Sequence, residues 1–457
     1  MLDVFIFHQM EGKCFLVYYM DTSDIVFGIL YGVCGVIALH FIVFALIGLF
    51  KRRKYPHTDK KLKYGLIIPA RNEEAVVGGL IDSIQKNNYP QDKLHIFVIA
   101  HNCTDRTAEI ARGMGATVYE YNNPEENTMG YAFRYLFDRI NEDYGTESYD
   151  GFFLFNADNI LDKNYFDIMN DAFVAEGGER VITSFRNSKN FGENTMAACY
   201  GLYFVYGCLF ESRGRTVCGC STRVQGTGYV INSKLVRDGW RYVTLTEDWE
   251  FTVDQLIEDN KICFCDDAVF YDEQPTTFKV MWRQRVRWCR GRWLVCISRL
   301  GDLVKSLLMP KRRGGSPHKG SVYDMTVMVL PISIVTTVLF ALRLITVCLA
   351  PVFYPELYTL GGVLLDLLID TAIFSGISYA TLVLSSIVIY IAERKRIKQV
   401  SLMTKILSTL LWPLFLMIAI PAEFVAIFSK NLGWKPIPHK NQTTFNDLNG
   451  SDEAATV

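Results

Sequence analysis

Long apolar stretches bracket the chain at both ends, and a central region of short alternating pieces lies between them. Ile25 to Phe50 contains no Asp, Glu, Lys or Arg and a single His, His40. About 20 apolar residues span a bilayer as a helix, so this run is long enough to cross. Lys51-Arg52-Arg53-Lys54 follows directly. A secretory signal would place its basic residues before the apolar core and a small-residue cleavage site after it. The order here is the reverse, so the run reads as an uncleaved transmembrane helix whose C-terminal end faces the cytoplasm. Apolar character returns over Tyr323 to Ala350, Gly362 to Ala392 and Leu402 to Phe428. The connection Glu393-Arg394-Lys395-Arg396-Ile397-Lys398 is basic and reads as cytoplasmic, whereas Tyr354, Pro355 and Glu356 lie in a connection without Lys or Arg and read as external. Both assignments place Leu62 to Ser298 in the cytoplasm of a plasma-membrane protein.

Pro413, Pro421 and Glu423 interrupt the last run, which suggests a crossing helix followed by one lying on the surface. Counting crossings puts the tail outside, while Lys430, Lys435 and Lys440 favour the inside. Trp293 to Leu308 mixes apolar residues with Arg299, Asp302 and Lys305 before Lys311-Arg312-Arg313, the pattern of an interfacial helix and a basic surface loop. The expected organisation is a membrane anchor over 1–56, a cytoplasmic domain over 57–293, an interfacial segment over 294–322, membrane helices over 323–430 and a polar tail over 431–457.

Within the central region, Lys63 to Pro69 is a short apolar run ending in a breaker, Glu73 to Lys86 has helical periodicity, and Leu94 to Ala100 is again strand-like. Cys103 to Arg112 predicts a helix capped near Thr104, and Ala116 to Tyr119 a third strand. This β-α-β-α-β order predicts a parallel, doubly wound sheet. Ligands bind beyond the carboxyl ends of such strands. Polar clusters stand at those ends: Arg71-Asn72-Glu73-Glu74, His101-Asn102-Cys103-Thr104-Asp105 and Asn156-Ala157-Asp158-Asn159. No dinucleotide fingerprint or P-loop occurs there, which argues against a dehydrogenase or a P-loop NTPase.

Composition agrees with a chain divided between water and lipid: 50% hydrophobic residues, yet 21% charged, with a mean hydropathy of +0.14. The net charge of −1 argues against a nucleic-acid partner. Two C-x-C pairs, Cys218/Cys220 and Cys263/Cys265, fit zinc spacing poorly, and the 12 cysteines read as small buried residues.

Gly151 to Phe155 is a buried strand that delivers Asn156 and Asp158 from its end. Two oxygen donors at that spacing suit Mg2+ or Mn2+ bridged to a diphosphate, although Asn and Asp also simply favour turns. Thr246-Glu247-Asp248 precedes a helical stretch from Trp249 to Glu258. It is either a helix cap with acids in the first turn, or the source of a general base. Gln284-Arg285-Val286-Arg287-Trp288 is either a basic face beside the membrane, or an Arg contact to a leaving diphosphate with Trp as a sugar platform.

An N-x-D metal site, then T-E-D, then Q-x-x-R-W, flanked by membrane helices, resembles the processive family 2 glycosyltransferases, which include cellulose, hyaluronan and chitin synthases. The resemblance covers about residues 25–430. It implies a nucleotide-diphosphosugar transferase domain of the GT-A, Rossmann-like α/β fold plus about four transmembrane helices, and an inverting mechanism. By the same resemblance Asp248 is the catalytic base with Glu247 beside it. Arg71, Glu73, His101, Asp105, Asp158 and Arg287 contact the donor, and Asp158 with Asn156 holds Mg2+ or Mn2+. Gly226, Thr227, Gly228, Gln284 and Trp288 line the acceptor end. The implied partners are a nucleotide sugar, a UDP-sugar first of all, a glycan or lipid acceptor, and membrane lipid. Three positions depart from the pattern: His101 where an acid often meets the nucleobase, Met129 where a Lys often meets phosphate, and Asn156 for the first Asp of D-x-D. The departures bear on donor affinity and nucleotide choice, because Asp158, Asp248 and Arg287 are present.

Arg343 and the pair Asp366/Asp370 lie at matching depths in successive membrane helices, which predicts an ion pair, with contact to a passing polymer as the other reading. Four crossings make a narrow channel, so a homo-oligomer stays open. The leading expectation is a transferase that extends a polysaccharide while exporting it. Transfer of one sugar to a lipid, and a degenerate scaffold or export subunit, are the alternatives.

Overall fold

The computed structural model describes residues 22–308, 318–429 and 439–449, apart from positions 354, 357 and 399. Contacts divide the described chain into two units. One comprises the described parts of Met1–Ile42 and Pro331–Thr381, the other those of Val43–Leu330 and Leu382–Val457. Helix α1 (Thr22–Phe50) leads into β1 (Tyr64–Ala70), α2 (Val77–Gln85), β2 (Leu94–His101), α3 (Thr107–Gly113) and β3 (Thr117–Tyr121). Next come α4 (Met129–Asp143), β4 (Gly151–Leu154), β5 (Ile160–Leu161), α5 (Tyr165–Ala175), β6 (Val181–Ser188), α6 (Thr195–Tyr206) and, after a π-helical turn, α7 (Arg213–Val217). Then follow β7 (Tyr229–Asn232), α8 (Glu247–Ile257), β8 (Ile262–Asp272), α9 (Phe278–Leu308) and α10 (His318–Val329). The remaining helices are α11 (Ile332–Phe353), α12 (Leu360–Ala392), α13 (Leu402–Met417), α14 (Ala419–Phe428) and α15 (Phe445–Asn449).

The strands form one eight-stranded sheet in the order β3-β2-β1-β4-β7-β6-β8-β5. Strands β3, β2, β1 and β4 are mutually parallel, as the alternation of elements predicts. Beyond β4 the sheet departs from that expectation. Strand β7 runs antiparallel to both β4 and β6, β6 and β8 are parallel, and β5 closes the edge antiparallel to β8. The sheet is therefore mixed. Leu66 and Ile68 belong to one core cluster and Ile67 to the cluster on the other face. Burial on both faces is why β1 reads as a continuous apolar run rather than an alternating one.

Four segments are long and apolar enough to cross a membrane: Ile25–Phe50, Ile332–Phe353, Leu360–Ala392 and Leu402–Phe428. The run expected to begin at Tyr323 is divided by Pro331, and its first part belongs to α10 instead. Val322, Met325 and Val329 are buried in a cluster with Val253 and Leu256 of α8 and Val295 and Leu303 of α9. Asp324 receives two hydrogen bonds from buried Arg215, at 2.6 and 2.9 Å. Likewise the segment from Trp293 is no separate interfacial helix. It is the second half of the 31-residue α9, and Arg299 reaches Asp254 of α8 at 3.2 Å. The basic loop expected at Lys311-Arg312-Arg313 lies outside the described residues.

Helices α13 and α14 pack along the catalytic side of the second unit. Trp412 and Phe415 join the cluster built on α6, and Ala422 and Ala426 pack against Val286 of α9. The described tail continues on the same surface: the Lys440 and Asn441 amides donate to Glu273, and the Lys163 amide donates to Asn449. The segment that follows α12 therefore starts and finishes against this unit, and the tail shares its side.

Two residues of the basic flanks, the exposed Arg52 and the partly buried Arg396, pair with buried acids around Arg213 of α7. Arg213, 2% exposed, donates to Asp266 at 2.8 Å and to Glu393 at 2.8 Å. Arg52 reaches Asp266 at 3.2 Å, and Arg396 reaches Glu393 at 3.0 Å. Removing one member leaves the others buried and uncompensated. Glu393→Ala is therefore expected to lower stability by about 3–5 kcal/mol, read as a depressed Tm in detergent, with Lys395→Ala as the exposed control. In the first unit, Arg343 and Asp370 form the ion pair expected between the membrane helices, at 3.1 Å. The eleven described cysteines are all unpaired.

Candidate active site

Strands β1, β2 and β4 end on the same edge of the sheet, and the order reverses between β1 and β4, where parallel sheets open a crevice. A cavity of about 450 Å³ lies there, with Arg71, Glu73, His101, Asn156, Asp158, Gln284 and Arg287 on its wall. A second cavity of about 300 Å³ is lined by Gly226, Glu247, Asp248, Gln284, Arg287 and Trp288. Met129, Asn156, Arg186, Gln284 and Arg287 face both. Two compartments thus meet at a common wall that carries two amides and two cations.

Asp158 is 3% exposed, and its Oδ2 accepts from the Glu273 amide at 2.7 Å. Around it stand Asn156, Asp272, Glu273, Glu73 and His439. This set is rich in oxygen donors, the ligand type a hard divalent ion requires. A different group, His57, Asp167 and Asp171, also brings three ligand atoms within metal distance. Those side chains already bind Lys61 and the Thr58 amide.

The tail brings His439 to the first cavity, where Nδ1 lies 2.9 and 3.0 Å from the two oxygens of Glu73. Burial pushes the imidazole pKa down, but the surrounding Asp158, Glu73 and Glu273 outweigh it, and the pKa rises to about 9. His439 is therefore a cation at neutral pH and offsets part of the acid cluster. Nothing in a polar tail far along the chain signals this position. His101 is 4% exposed and neutral: burial lowers its pKa, and its Nε2 sits 2.7 Å from the Glu126 carbonyl. Its ring stacks on Tyr121 with centroids 5.5 Å apart.

Asp105 does not line either cavity among the described residues. Its carboxylate accepts from the Thr107 hydroxyl at 2.6 Å and from the Glu74 amide at 3.1 Å, so it fixes the start of α3. In the Gly226-Thr227-Gly228 segment only Gly226 is among the cavity-lining residues. Buried Thr227 accepts from the Asn156 amide at 2.9 Å and thereby ties this segment to the Asn156–Asp158 turn. Gly228 has φ +67°, and a Cβ there would collide with the Phe270 ring. Thr227 and Gly228 thus support the wall from behind.

Helix α8 starts at Glu247, but Thr246 does not cap it, and its hydroxyl is buried without a hydrogen-bond partner among the described residues. Asp248 instead accepts from the Trp249 amide at 2.9 Å. Burial raises the pKa of Glu247, and the neighbouring Asp248 charge raises it further. Burial also raises that of Asp248, opposed by Arg223 and Arg287. Arg287 is oriented by donating to the Leu245 carbonyl at 3.0 Å. Helix α9 can approach the T-E-D segment only because residue 291 is glycine: a Cβ there would overlap the Thr246 side chain. Gly291→Ala is expected to cost about 1–3 kcal/mol and to depress turnover by displacing Thr246 to Asp248, measured as kcat beside Tm.

The profile of the glycosyltransferase-like family 2 matches residues 62–291. The chain belongs to this family. Two relatives within it are informative. A probable glycosyltransferase, YdaM of Bacillus subtilis strain 168, is 27% identical over 262 residues, covering 55% of this chain and 60% of that protein. A beta-monoglucosyldiacylglycerol synthase of Synechocystis sp. is 23% identical over 262 residues, covering 53% of each. The chain spans between half and three-fifths of the length of these two relatives. The mannosyltransferase PcManGT from Pyrobaculum calidifontis, solved with GDP-Man and Mn2+, has a TM-score of 0.55 at 13% identity, covering 88% of this chain and 98% of that one. That likeness establishes the GT-A-like fold. Glu247, Asp248, Gln284, Arg287 and Trp288 lie within the matched region.

Proposed function

We propose that the protein is an inverting, metal-dependent transferase that moves a sugar from a nucleoside-diphosphate donor to a hydroxyl of a membrane-borne lipid acceptor. The observation that carries this reading is the pair of cavities sharing Gln284 and Arg287, with Asp158 in one and Asp248 in the other. The donor would occupy the first cavity, where Asp158 and Asn156 would hold Mg2+ or Mn2+. When bound, that ion offsets negative charge on the leaving group. The oxygen-rich donor set around Asp158 fits such an ion.

In the second cavity Asp248 takes the proton of the acceptor hydroxyl as its oxygen bonds to the anomeric carbon. The bond to diphosphate breaks on the opposite face, where Arg287 meets the developing charge. Attack from the face opposite the leaving group inverts the anomeric centre. The lipid acceptor is favoured because Leu416, Ala419 and Glu423 of α13 and α14 complete the second cavity, and those helices form an apolar surface along which a lipid can enter. The beta-monoglucosyldiacylglycerol synthase among the relatives is consistent with that choice. The catalytic unit and the tail would face the cytoplasm, where nucleotide sugars are made.

Chain growth is the second reading. It is favoured by Trp288 on the cavity wall, a ring that can carry a sugar. Purified protein in detergent, supplied with UDP- and GDP-sugars, Mn2+ or Mg2+ and lipid extract, tests both. A single glycolipid lost on chelation is expected, and a ladder of products would select chain growth instead. No turnover of any donor, with Asp248→Asn identical to wild type, would overturn both.

A further inference from the structure

Five arginines line the second cavity: Arg186, Arg223, Arg285, Arg287 and Arg292. Four have an anionic or carbonyl acceptor. Arg186 donates to Asp272 at 2.8 Å, Arg223 reaches Glu211 at 3.5 Å, Arg287 donates to Leu245, and Arg292 pairs with Glu423. Arg285 differs. It is 4% exposed, and its Nε and Nη2 have no hydrogen-bond partner among the described residues. The buried Tyr200 hydroxyl faces the guanidinium but makes no well-aligned hydrogen bond.

Aromatic faces surround the guanidinium instead, with Tyr203 at 4.3 Å, Phe415 at 4.5 Å, Tyr200 at 5.6 Å and Trp288 at 5.9 Å. Ring faces stabilise the charge, but they leave the in-plane N–H groups unmatched. Leaving buried donors of a cation unpaired is costly, and the usual partner of a planar guanidinium fork is a carboxylate or phosphate. The apolar residues Leu416 and Ala419 line the same cavity, and Asp248 lies on its wall.

We infer that Arg285 is the anchor of an acceptor subsite for a phosphate-bearing lipid, whose headgroup hydroxyl is presented to Asp248 while its acyl chains follow α13 and α14. This rests on the transferase reading above and adds the chemistry of the acceptor. The acceptor O–H bond and the sugar–diphosphate bond break, the glycosidic bond forms, the proton goes to Asp248, and the electron pair leaves with the nucleoside diphosphate. Arg285 is a positioning and specificity residue and takes no part in bond making.

The test compares dioleoylphosphatidylglycerol, which carries a phosphate beside free hydroxyls, with dioleoylglycerol, which offers a hydroxyl and no anion. Both are presented in neutral detergent micelles to wild type, Arg285→Gln and Arg285→Lys. The kcat/KM ratio of the phospholipid to the neutral lipid is expected to exceed about ten in wild type, to fall by about ten- to a hundredfold in Arg285→Gln, and to recover in part in Arg285→Lys. Nucleotide binding checks that each variant is folded. A ratio near one in wild type, or an unchanged ratio in Arg285→Gln, overturns the subsite. Glycerol phosphate used as well as the phospholipid would show that the anion belongs to a soluble acceptor, and would overturn the lipid assignment. Native mass spectrometry reads lipid retention without turnover: wild type should keep phosphatidylglycerol and Arg285→Gln should not, and equal retention overturns the subsite. Absence of any donor turnover, hydrolysis included, is the separate signature that the transferase reading has failed.

Discussion

Asp248→Asn is expected to lower sugar transfer by about 10²–10⁴-fold while nucleotide-sugar binding stays near wild type. Amide and carboxylate are nearly the same size, so the cavity and the Trp249 amide contact at Oδ1 can persist. What is lost is a group able to take the acceptor proton. Single-turnover transfer, beside equilibrium binding of the donor, separates the two effects. Equal loss of binding would instead assign Asp248 to holding the donor.

The pH profile follows from the same residue. Burial holds the Asp248 and Glu247 carboxyls above their ordinary values. A base works only when ionised, so transfer is full above the raised pKa and falls as pH drops through it. The acid limb should therefore lie above the ordinary carboxylate value of about 4. A limb at the ordinary value would show that the site is more hydrated than its burial implies.

Arg287→Ala is expected to lower kcat by about 10²–10³-fold and to weaken donor binding. The guanidinium lines both cavities and is held by the Leu245 carbonyl, so it is aligned before charge develops on the leaving group. A second signature distinguishes this role from simple packing. Arg287 opposes the upward shift of both Glu247 and Asp248. Its removal should therefore move the acid limb of the pH profile upward, and Arg287→Lys should restore much of the limb's position but less of kcat, since an ammonium lacks the planar fork. An acid limb unmoved in Arg287→Ala would place the cation too far from the carboxylates to serve both cavities.

Much of the catalytic unit was legible because local patterns suffice for it. Strands β1 to β4 are short apolar runs bounded by breakers, and their parallel order follows from the helices between them. T-E-D and Q-R-V-R-W sit on α8 and α9, where their residue types already suggest acid–base and diphosphate chemistry. The second half of the sheet was not legible. Strand β7 pairs antiparallel with β4 although three helices and two strands separate them in sequence, and no local signal specifies such a partner.

The membrane segments show the same boundary between local and tertiary information. Apolar composition reports that a segment leaves water, but it does not say whether lipid or protein receives it. Tyr323 and its successors looked like the start of a crossing because Val322, Met325 and Val329 are apolar. They are apolar to pack on α8 and α9. Leu402 to Phe428 likewise offers part of its surface to α6 and α9.

By itself, the sequence determined the division between membrane helices and an α/β transferase unit, and the residue types for moving a proton and meeting a diphosphate. Those depend on hydropathy and on chemistry carried within a few residues. The tertiary structure decided which of these groups share a cavity. It placed Thr227 and Asp105 in the scaffold, carried His439 from the far tail to the acids around Asp158, and left Arg285 caged by rings without an anion. Each of these results from packing between elements distant in the chain, where burial and partner geometry set the chemistry of a side chain.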